Sequence, residues 1–125
     1  MALPKNIEKA SESFNEYSDC SVKAVAIVCG VSYGKAHKAM ADQGRVNRKC
    51  AYEYQIHGAI RSFGKTLKIT DRFTAKTLTS LDKQLPSRGI FLVGVRGHIV
   101  ACRAGEVKDW TEGRRHRILS VYAIK

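Results

Sequence analysis

Two segments of the sequence carry residues that can do covalent chemistry together. The first, residues 18–30, has Cys20 near its start and is otherwise almost wholly apolar. The second, residues 89–102, is an apolar run that leads to His98, and a carboxylate, Asp109, follows it. A thiol hydrolase needs a cysteine, a histidine that activates the thiol, and a third group that orients the histidine. The order of these three residues predicts that chemistry.

Cys20 stands where a helix is expected to begin. Ser18 or Asp19 can cap that helix, and Gly30 is well placed to end it. The unpaired backbone N–H groups and the dipole of the first turn stabilise a thiolate, and the same donors can hold the oxyanion that forms when the thiolate attacks a carbonyl. The alternative is that Cys20 is a small buried residue at a helix start, since cysteine is among the most buried residue types.

His98 is expected to open a strand directly after Gly97. If a hairpin turns near residues 104–105, Asp109 falls roughly opposite His98, within about 4.5–8 Å, which lets a carboxylate orient an imidazole. A slip of one residue in the register would place Asp109 on the other face, and its alternative role is that of a polar residue at a strand end.

The remaining cysteines and histidines have less informative contexts. Cys29 lies at the far end of the same predicted helix, so it cannot act at the same site as Cys20. Cys50 and Cys102 are expected to be core or incidental residues. The other histidines are expected to be solvated surface groups; they are His37, His57 and His116.

Helices in the first half of the chain and strands in the second must position these groups. Glycines, capping residues and the spacing of apolar residues predict helices from about Cys20 to Cys29, Ser32 to Gln43, Cys50 to Ser62 and Thr79 to Leu85. They predict strands at Leu67–Ile69, Gly89–Val95, His98–Cys102, Glu106–Trp110 and Ile118–Ile124. This order predicts one α+β domain over residues 1–125, with 1–17 as a loose N-terminal segment.

The composition restricts the partners. The 125 residues include 22 Lys and Arg against 11 Asp and Glu, a net charge of +11. Such a field favours acidic partners, namely nucleic acid or an acidic protein. No apolar segment near the N-terminus predicts a signal peptide or a membrane span, so we expect a cytoplasmic protein with reduced cysteines. With no Cys-x-x-Cys pair, neither a metal nor a redox cofactor is expected.

Three motifs together resemble the papain-like cysteine peptidase superfamily. They are DCSVKAVAI at 19–27, GHIVA at 97–101 and GEVKD at 105–109. The similarity is greatest to small bacterial and phage members of the bacteriocin-processing type, and to small phage-encoded proteins with the same helix start and a late His-x-Val-Ala hairpin. It implies a papain-like fold in which a central catalytic helix packs on a C-terminal antiparallel sheet. It also implies Cys20 as nucleophile, His98 as base and Asp109 as orienter.

The sequence departs from that superfamily at one position. Papain-like enzymes usually carry an oxyanion glutamine six residues before the cysteine, and here that residue is Phe14. Asn15, five residues before Cys20, can supply an amide donor if the loop geometry differs. Otherwise the oxyanion hole would rest on the Cys20 backbone N–H.

Two functions therefore compete at the level of sequence. The first is a cysteine hydrolase that cleaves a peptide, isopeptide or thioester bond through an acyl-enzyme on Cys20, with an acidic protein or peptide as substrate. The second is a catalytically inactive domain of the same fold whose net charge of +11 binds nucleic acid or an acidic host protein.

Overall fold

A computed structural model describes residues 5–16, 18–95, 98–108 and 117–125. Over these residues the fold is mixed α+β, as predicted, with five helices and one antiparallel sheet of five strands. In chain order the elements are α1 (Lys5–Ser13), α2 (Cys20–Cys29), α3 (Tyr33–Asp42), α4 (Glu53–Ser62), β1 (Leu67–Ile69), α5 (Leu78–Gln84), β2 (Ile90–Val95), β3 (His98–Arg103), β4 (Glu106–Lys108) and β5 (Ile118–Ile124). None of the described helices is long and apolar enough to cross a membrane.

The sheet has the strand order β1-β5-β2-β3-β4. Side chains alternate between its faces, so each strand contributes to two apolar layers. Leu92 and Ala101 belong to the layer beneath helices α1 to α4. Val93 and Val100 belong to the opposite layer, which α5 covers with the fully buried Leu81. The sheet is therefore covered by helix on both faces.

Helix α2 lies at the centre of the helical layer. Val22, Val25 and Val28 are fully buried, because α3, α4 and the sheet surround the helix. Gly30 ends the helix as predicted, in the left-handed conformation with φ 65°. An apolar helix enclosed in this way can expose only its ends.

Helix α2 packs along β3 with its C-terminal end at the end of that strand. The guanidinium of Arg103, the last residue of β3, donates a hydrogen bond from Nη1 to the carbonyl oxygen of Ile27 at 2.7 Å. Ten helical residues span about 15 Å and six strand residues about 20 Å. The first residue of α2, Cys20, and the first residue of β3, His98, therefore lie at the same end of the domain.

The hairpin between β3 and β4 turns where the sequence predicts it. Ala104 and Gly105 both have positive φ, 55° and 82°, which a two-residue hairpin turn requires, and Arg103 pairs with Glu106. β4 was predicted to extend to residue 110, and residues 109 and 110 are outside the described part of the chain.

The described part of the N-terminal segment contains a helix. Residues 5–13 form α1, whose Ile7 is buried in the helical layer and whose Ser11 hydroxyl donates to the Asp19 carboxylate at 2.6 Å. Ile7, the partly buried Ala10 and the hydrogen bond from Ser11 to Asp19 hold this short helix against the domain.

Helix α4 also begins later than predicted, at Glu53 instead of Cys50. The amide oxygen of Gln55 accepts a hydrogen bond from the backbone N–H of Tyr52 at 2.9 Å and fixes the start of the helix there. Residues 44–52 are consequently an irregular segment that leads into the helix.

Candidate active site

A cavity of about 360 Å³ opens where the start of α2 meets the end of the sheet. Cys20 from α2 and His98 from β3 both line it. The structure thus brings the predicted nucleophile and the predicted base to one cavity, although 77 residues separate them along the chain. A mostly apolar cavity with a few convergent polar groups is the usual form of a small ligand site.

Gly94 forms part of the cavity floor. It lies in β2 opposite Ile99, and a Cβ built on it would lie 2.8 Å from the Ser120 hydroxyl oxygen. All three residues line the cavity. The missing side chain at Gly94 therefore leaves open the space between α2, α4 and the sheet.

Cys20 is the first residue of α2 and is half-buried. The predicted cap on this helix is not formed: Asp19 precedes the helix, but its carboxylate accepts no hydrogen bond from the first turn. That carboxylate is instead turned to α1 and α3, where it accepts from Ser11 at 2.6 Å and from the Tyr33 hydroxyl at 2.7 Å. The first turn of α2 thus keeps its backbone donors free of a side-chain cap.

The Asp19 carboxylate is stabilised as a charged group although it is buried. Burial raises its pKa, but hydrogen bonds from Ser11 and Tyr33 and the ammonium of Lys23, 3.3 Å from Oδ1, together lower it below the ordinary value. Burial and the bond to Asp19 raise the pKa of Tyr33, so Tyr33 stays a neutral donor. These contacts fix the residue that directly precedes Cys20.

His98 is half-buried at the end of the sheet and pairs with Val95 across the β2–β3 hairpin. By strand alternation His98 belongs to the same face of the sheet as Val100, which faces α5. It nevertheless lines the cavity, because it is the first residue of β3 and lies at the end of the sheet. Asp109, the predicted orienter of His98, lies outside the described residues, as does His116.

Asn15, the predicted amide donor, is placed elsewhere. It is exposed, has a positive φ of 54° and is not among the residues that line the cavity. Its carbonyl oxygen accepts a hydrogen bond from Arg48 Nε at 2.9 Å. Phe14, beside it, packs its ring against Tyr33 and His37, with centroids 5.2 and 4.8 Å away. The structure therefore separates Asn15 from Cys20 and His98.

A buried ion pair ties together the two segments that lead to the cavity walls. Glu16, shortly before α2, accepts two hydrogen bonds from Arg45, at 2.7 and 3.2 Å, and each side chain is 1% exposed. Glu16 also bonds the backbone N–H of Arg48 at 2.8 Å and His37 Nε2 at 2.6 Å. Burial raises the pKa of Glu16, but these hydrogen bonds outweigh it and lower the pKa to about 2.

The other three cysteines have different surroundings. Cys102 is buried on the α5 face, and burial raises the pKa of Cys29, at the far end of α2, to about 11. Cys102 is thus a core residue, one of the two roles expected of it, whereas Cys29 is partly buried and packs against the helical layer. Cys50, however, is exposed and lines the same cavity as Cys20, because the segment before α4 forms a wall of that cavity.

His57 is a site residue that the sequence analysis placed on the solvated surface. It lies in α4, lines the cavity, and has a side chain that is only 15% exposed. Burial is the main reason that its pKa lies below the ordinary value, so the ring is neutral at pH 7. The spacing of Glu53, Ile56, His57 and Ile60, at i, i+3, i+4 and i+7, was the available signal, because it puts His57 on the inward face of the helix.

The residues of the cavity do not form a metal centre. Within the part of the chain that the structure describes, no three His, Cys, Asp or Glu side chains are arranged to hold a metal ion. The polar groups that line the cavity are two thiols, two imidazoles, three hydroxyls and one carboxylate, those of Cys20, Cys50, His57, His98, Ser21, Ser120, Tyr122 and Glu53.

Comparison of the chain with protein-family models, with curated proteins and with solved structures finds no match.

Proposed function

We propose that the protein is a papain-like cysteine hydrolase that cleaves an acyl bond through a covalent intermediate on Cys20. The observation that supports this most is the shared cavity, in which Cys20 at the start of α2 and His98 at the start of β3 both form the wall. A thiol at a helix N-terminus near an imidazole is the setting in which cysteine becomes a nucleophile. The order of α2 before the antiparallel hairpin of β2 and β3 agrees with the sequence resemblance.

In the proposed reaction His98 takes the proton of the Cys20 thiol, and the thiolate attacks the substrate carbonyl carbon. The carbon–sulfur bond forms while the carbonyl π electrons move to oxygen. When the carbonyl re-forms, the bond to the leaving group breaks, and His98 returns its proton to that group. Water then attacks the thioester, His98 accepts its proton, and the free thiol is restored. Asp109 is the proposed orienter of the imidazole, as the sequence motif implies.

The cavity favours an acyl group of moderate size as the part of the substrate that enters it. Its volume of about 360 Å³ lies at the small end of ligand sites, and Ile56, Ile99 and Leu119 contribute apolar surface. A peptide, an isopeptide or a thioester can each present such a group. The net charge of +11 favours an acidic polypeptide as the remainder of the substrate.

The competing proposal is a binding protein on the same scaffold. Its support is the net charge together with Tyr52 and Tyr54, two exposed rings stacked 5.8 Å apart near the exposed Arg48 and Lys49. Exposed aromatic rings among basic residues are the usual platform for single-stranded nucleic acid. This surface adjoins the cavity. A binding function does not explain why Cys20 and His98 line one cavity, so we favour the hydrolase.

Formation of an acyl-enzyme with p-nitrophenyl acetate tests the proposal. We expect a burst of nitrophenolate, and a protein mass increased by one acetyl group that peptide mapping assigns to Cys20. The Cys20→Ala variant should lose the burst, whereas the matched Cys50→Ala variant, which removes an exposed thiol of the same cavity, should keep it. Acetylation confined to Cys50, or no acetylated cysteine at all, would contradict the hydrolase and favour the binding protein.

A further inference from the structure

Two buried polar atoms at the cavity have no hydrogen-bond partner among the described residues. They are Ser21 Oγ and His57 Nε2. Both residues line the cavity, and Ser21 directly follows Cys20 in the first turn of α2 with 2% of its surface exposed. A buried polar atom without a partner destabilises a fold, so folded proteins rarely retain one. Two of them in the wall of the cavity that also contains the proposed nucleophile indicate that a ligand supplies the missing bonds.

The surroundings of His57 determine what its Nε2 atom can do. The Glu53 carboxylate has Oε1 3.5 Å from Nε2, too far for a good hydrogen bond, and that oxygen already accepts from the Tyr122 hydroxyl at 3.0 Å. The Tyr122 ring packs edge-on against the imidazole, with centroids 4.8 Å apart. The nearby negative charge favours the tautomer with its proton on Nε2, so His57 is a neutral donor. A neutral imidazole can polarise a carbonyl in this way.

We propose that Ser21 Oγ and His57 Nε2 donate hydrogen bonds to the oxygen of the substrate carbonyl that Cys20 attacks. This inference rests on the proposed hydrolase function and identifies the side-chain part of its oxyanion hole. When the carbon–sulfur bond forms, the carbonyl π electrons move to that oxygen, and the two donors stabilise its negative charge. The bonds strengthen as the charge grows, which is the condition for catalysis.

The proposal also explains how the site can work although Asn15 lies outside the cavity. The sequence resemblance leads one to expect a side-chain amide shortly before Cys20, and Asn15 is exposed outside the cavity. In this chain, His57 from α4 and Ser21 from α2 would supply the side-chain donors of the oxyanion hole in its place.

A comparison of two reactions at one thiol tests this assignment. Acetylation of Cys20 by p-nitrophenyl acetate passes through an oxyanion, whereas alkylation by iodoacetamide displaces iodide at a saturated carbon and forms none. In a background with the other three cysteines replaced, His57→Leu is expected to slow acetylation about 10²- to 10³-fold and leave alkylation unchanged. His57→Gln, which retains an N–H donor, should recover part of the lost acetylation rate.

Ser21→Ala supplies an independent variant that should fold without difficulty. Because it removes a buried hydroxyl that has no partner among the described residues, it is expected to raise the melting temperature while it slows acetylation and spares alkylation. Such a gain in stability with a selective loss of acyl transfer is not expected of a purely structural residue.

Each other outcome overturns the assignment in a recognisable way. Equal losses of acetylation and alkylation in His57→Leu would show that His57 acts on the thiol itself. Unchanged rates in both variants would show that the two residues have no part in the reaction. If Cys20 is not acetylated in the protein that retains His57 and Ser21, the hydrolase function itself is contradicted. That result is obtained before any variant of His57 or Ser21 is made.

Discussion

Replacement of Arg45 by methionine is expected to lower the free energy of unfolding by about 3–5 kcal/mol, because it leaves the Glu16 carboxylate buried without its charged partner. Both side chains are 1% exposed, and Arg45 supplies two of the hydrogen bonds to Glu16. Urea titration followed by circular dichroism measures the change. Lys38→Met is the matched control, because Lys38 pairs with Asp42 at 3.1 Å on the surface, where both side chains are largely exposed. It should cost no more than about 1 kcal/mol.

The same ion pair predicts how stability depends on acid. The pKa of Glu16 is depressed from 4.5 to about 2, so its contribution is fully present above pH 4.5 and is lost as the pH falls to about 2. A shift of this size corresponds to about 3 kcal/mol. In Arg45→Met the acid unfolding midpoint should move to higher pH. A variant as stable as Lys38→Met, with an unmoved acid midpoint, would show that the pair does not stabilise the contact between Glu16 and the segment around Arg45.

Replacement of His98 by alanine is expected to slow acetylation of Cys20 by p-nitrophenyl acetate by about 10²- to 10⁴-fold at pH 7, the usual contribution of a general base. Added imidazole should restore part of the rate, because it can occupy the space that the side chain leaves. His37→Gln is the matched control, since His37 bonds Glu16 at 2.6 Å and does not line the cavity. It should change stability and leave the acetylation rate intact. Equal losses in the two variants would mean that His98 matters only for folding.

The sequence predicted the elements whose signals are local. Gly30 ends α2, the hydroxyl of Ser32 accepts from the backbone N–H of Lys35 at the start of α3, and β5 spans Ile118–Ile124 as expected. The hairpin turn at residues 104–105 has the two positive φ angles that the prediction needed. Each of these follows from the conformational preference of a few adjacent residues, and that is why a single sequence shows them.

Contacts between distant segments were not predictable in the same way. Ser18 or Asp19 was expected to cap α2, but the Asp19 carboxylate accepts its hydrogen bonds from Ser11 and Tyr33, which lie in two other helices. Glu16 and Arg45 are 29 residues apart and have no local pattern that pairs them. A buried polar residue finds its partners only when the helices pack, so its role depends on tertiary structure.

The candidate site was predictable in part. Cys20 and His98 were named from their places at the start of a helix and of a strand, and both line one cavity. His57 was missed because a histidine in an amphipathic helix was read as a surface group, although its spacing from Ile56 and Ile60 places it on the inward face. Asn15 was named from its distance to Cys20 along the chain, but it is exposed, its carbonyl oxygen accepts a hydrogen bond from Arg48, and it is not among the residues that line the cavity.

The rate of Cys20 alkylation by iodoacetamide as a function of pH tests the central claim most directly, in a variant whose other three cysteines are replaced. If Cys20 and His98 form a working pair, the thiol reacts as a thiolate at pH 6, and His98→Ala moves the rise in rate toward pH 8.5, the value for an ordinary cysteine. A rate that rises only near pH 8.5 and is the same with and without His98 would contradict the hydrolase.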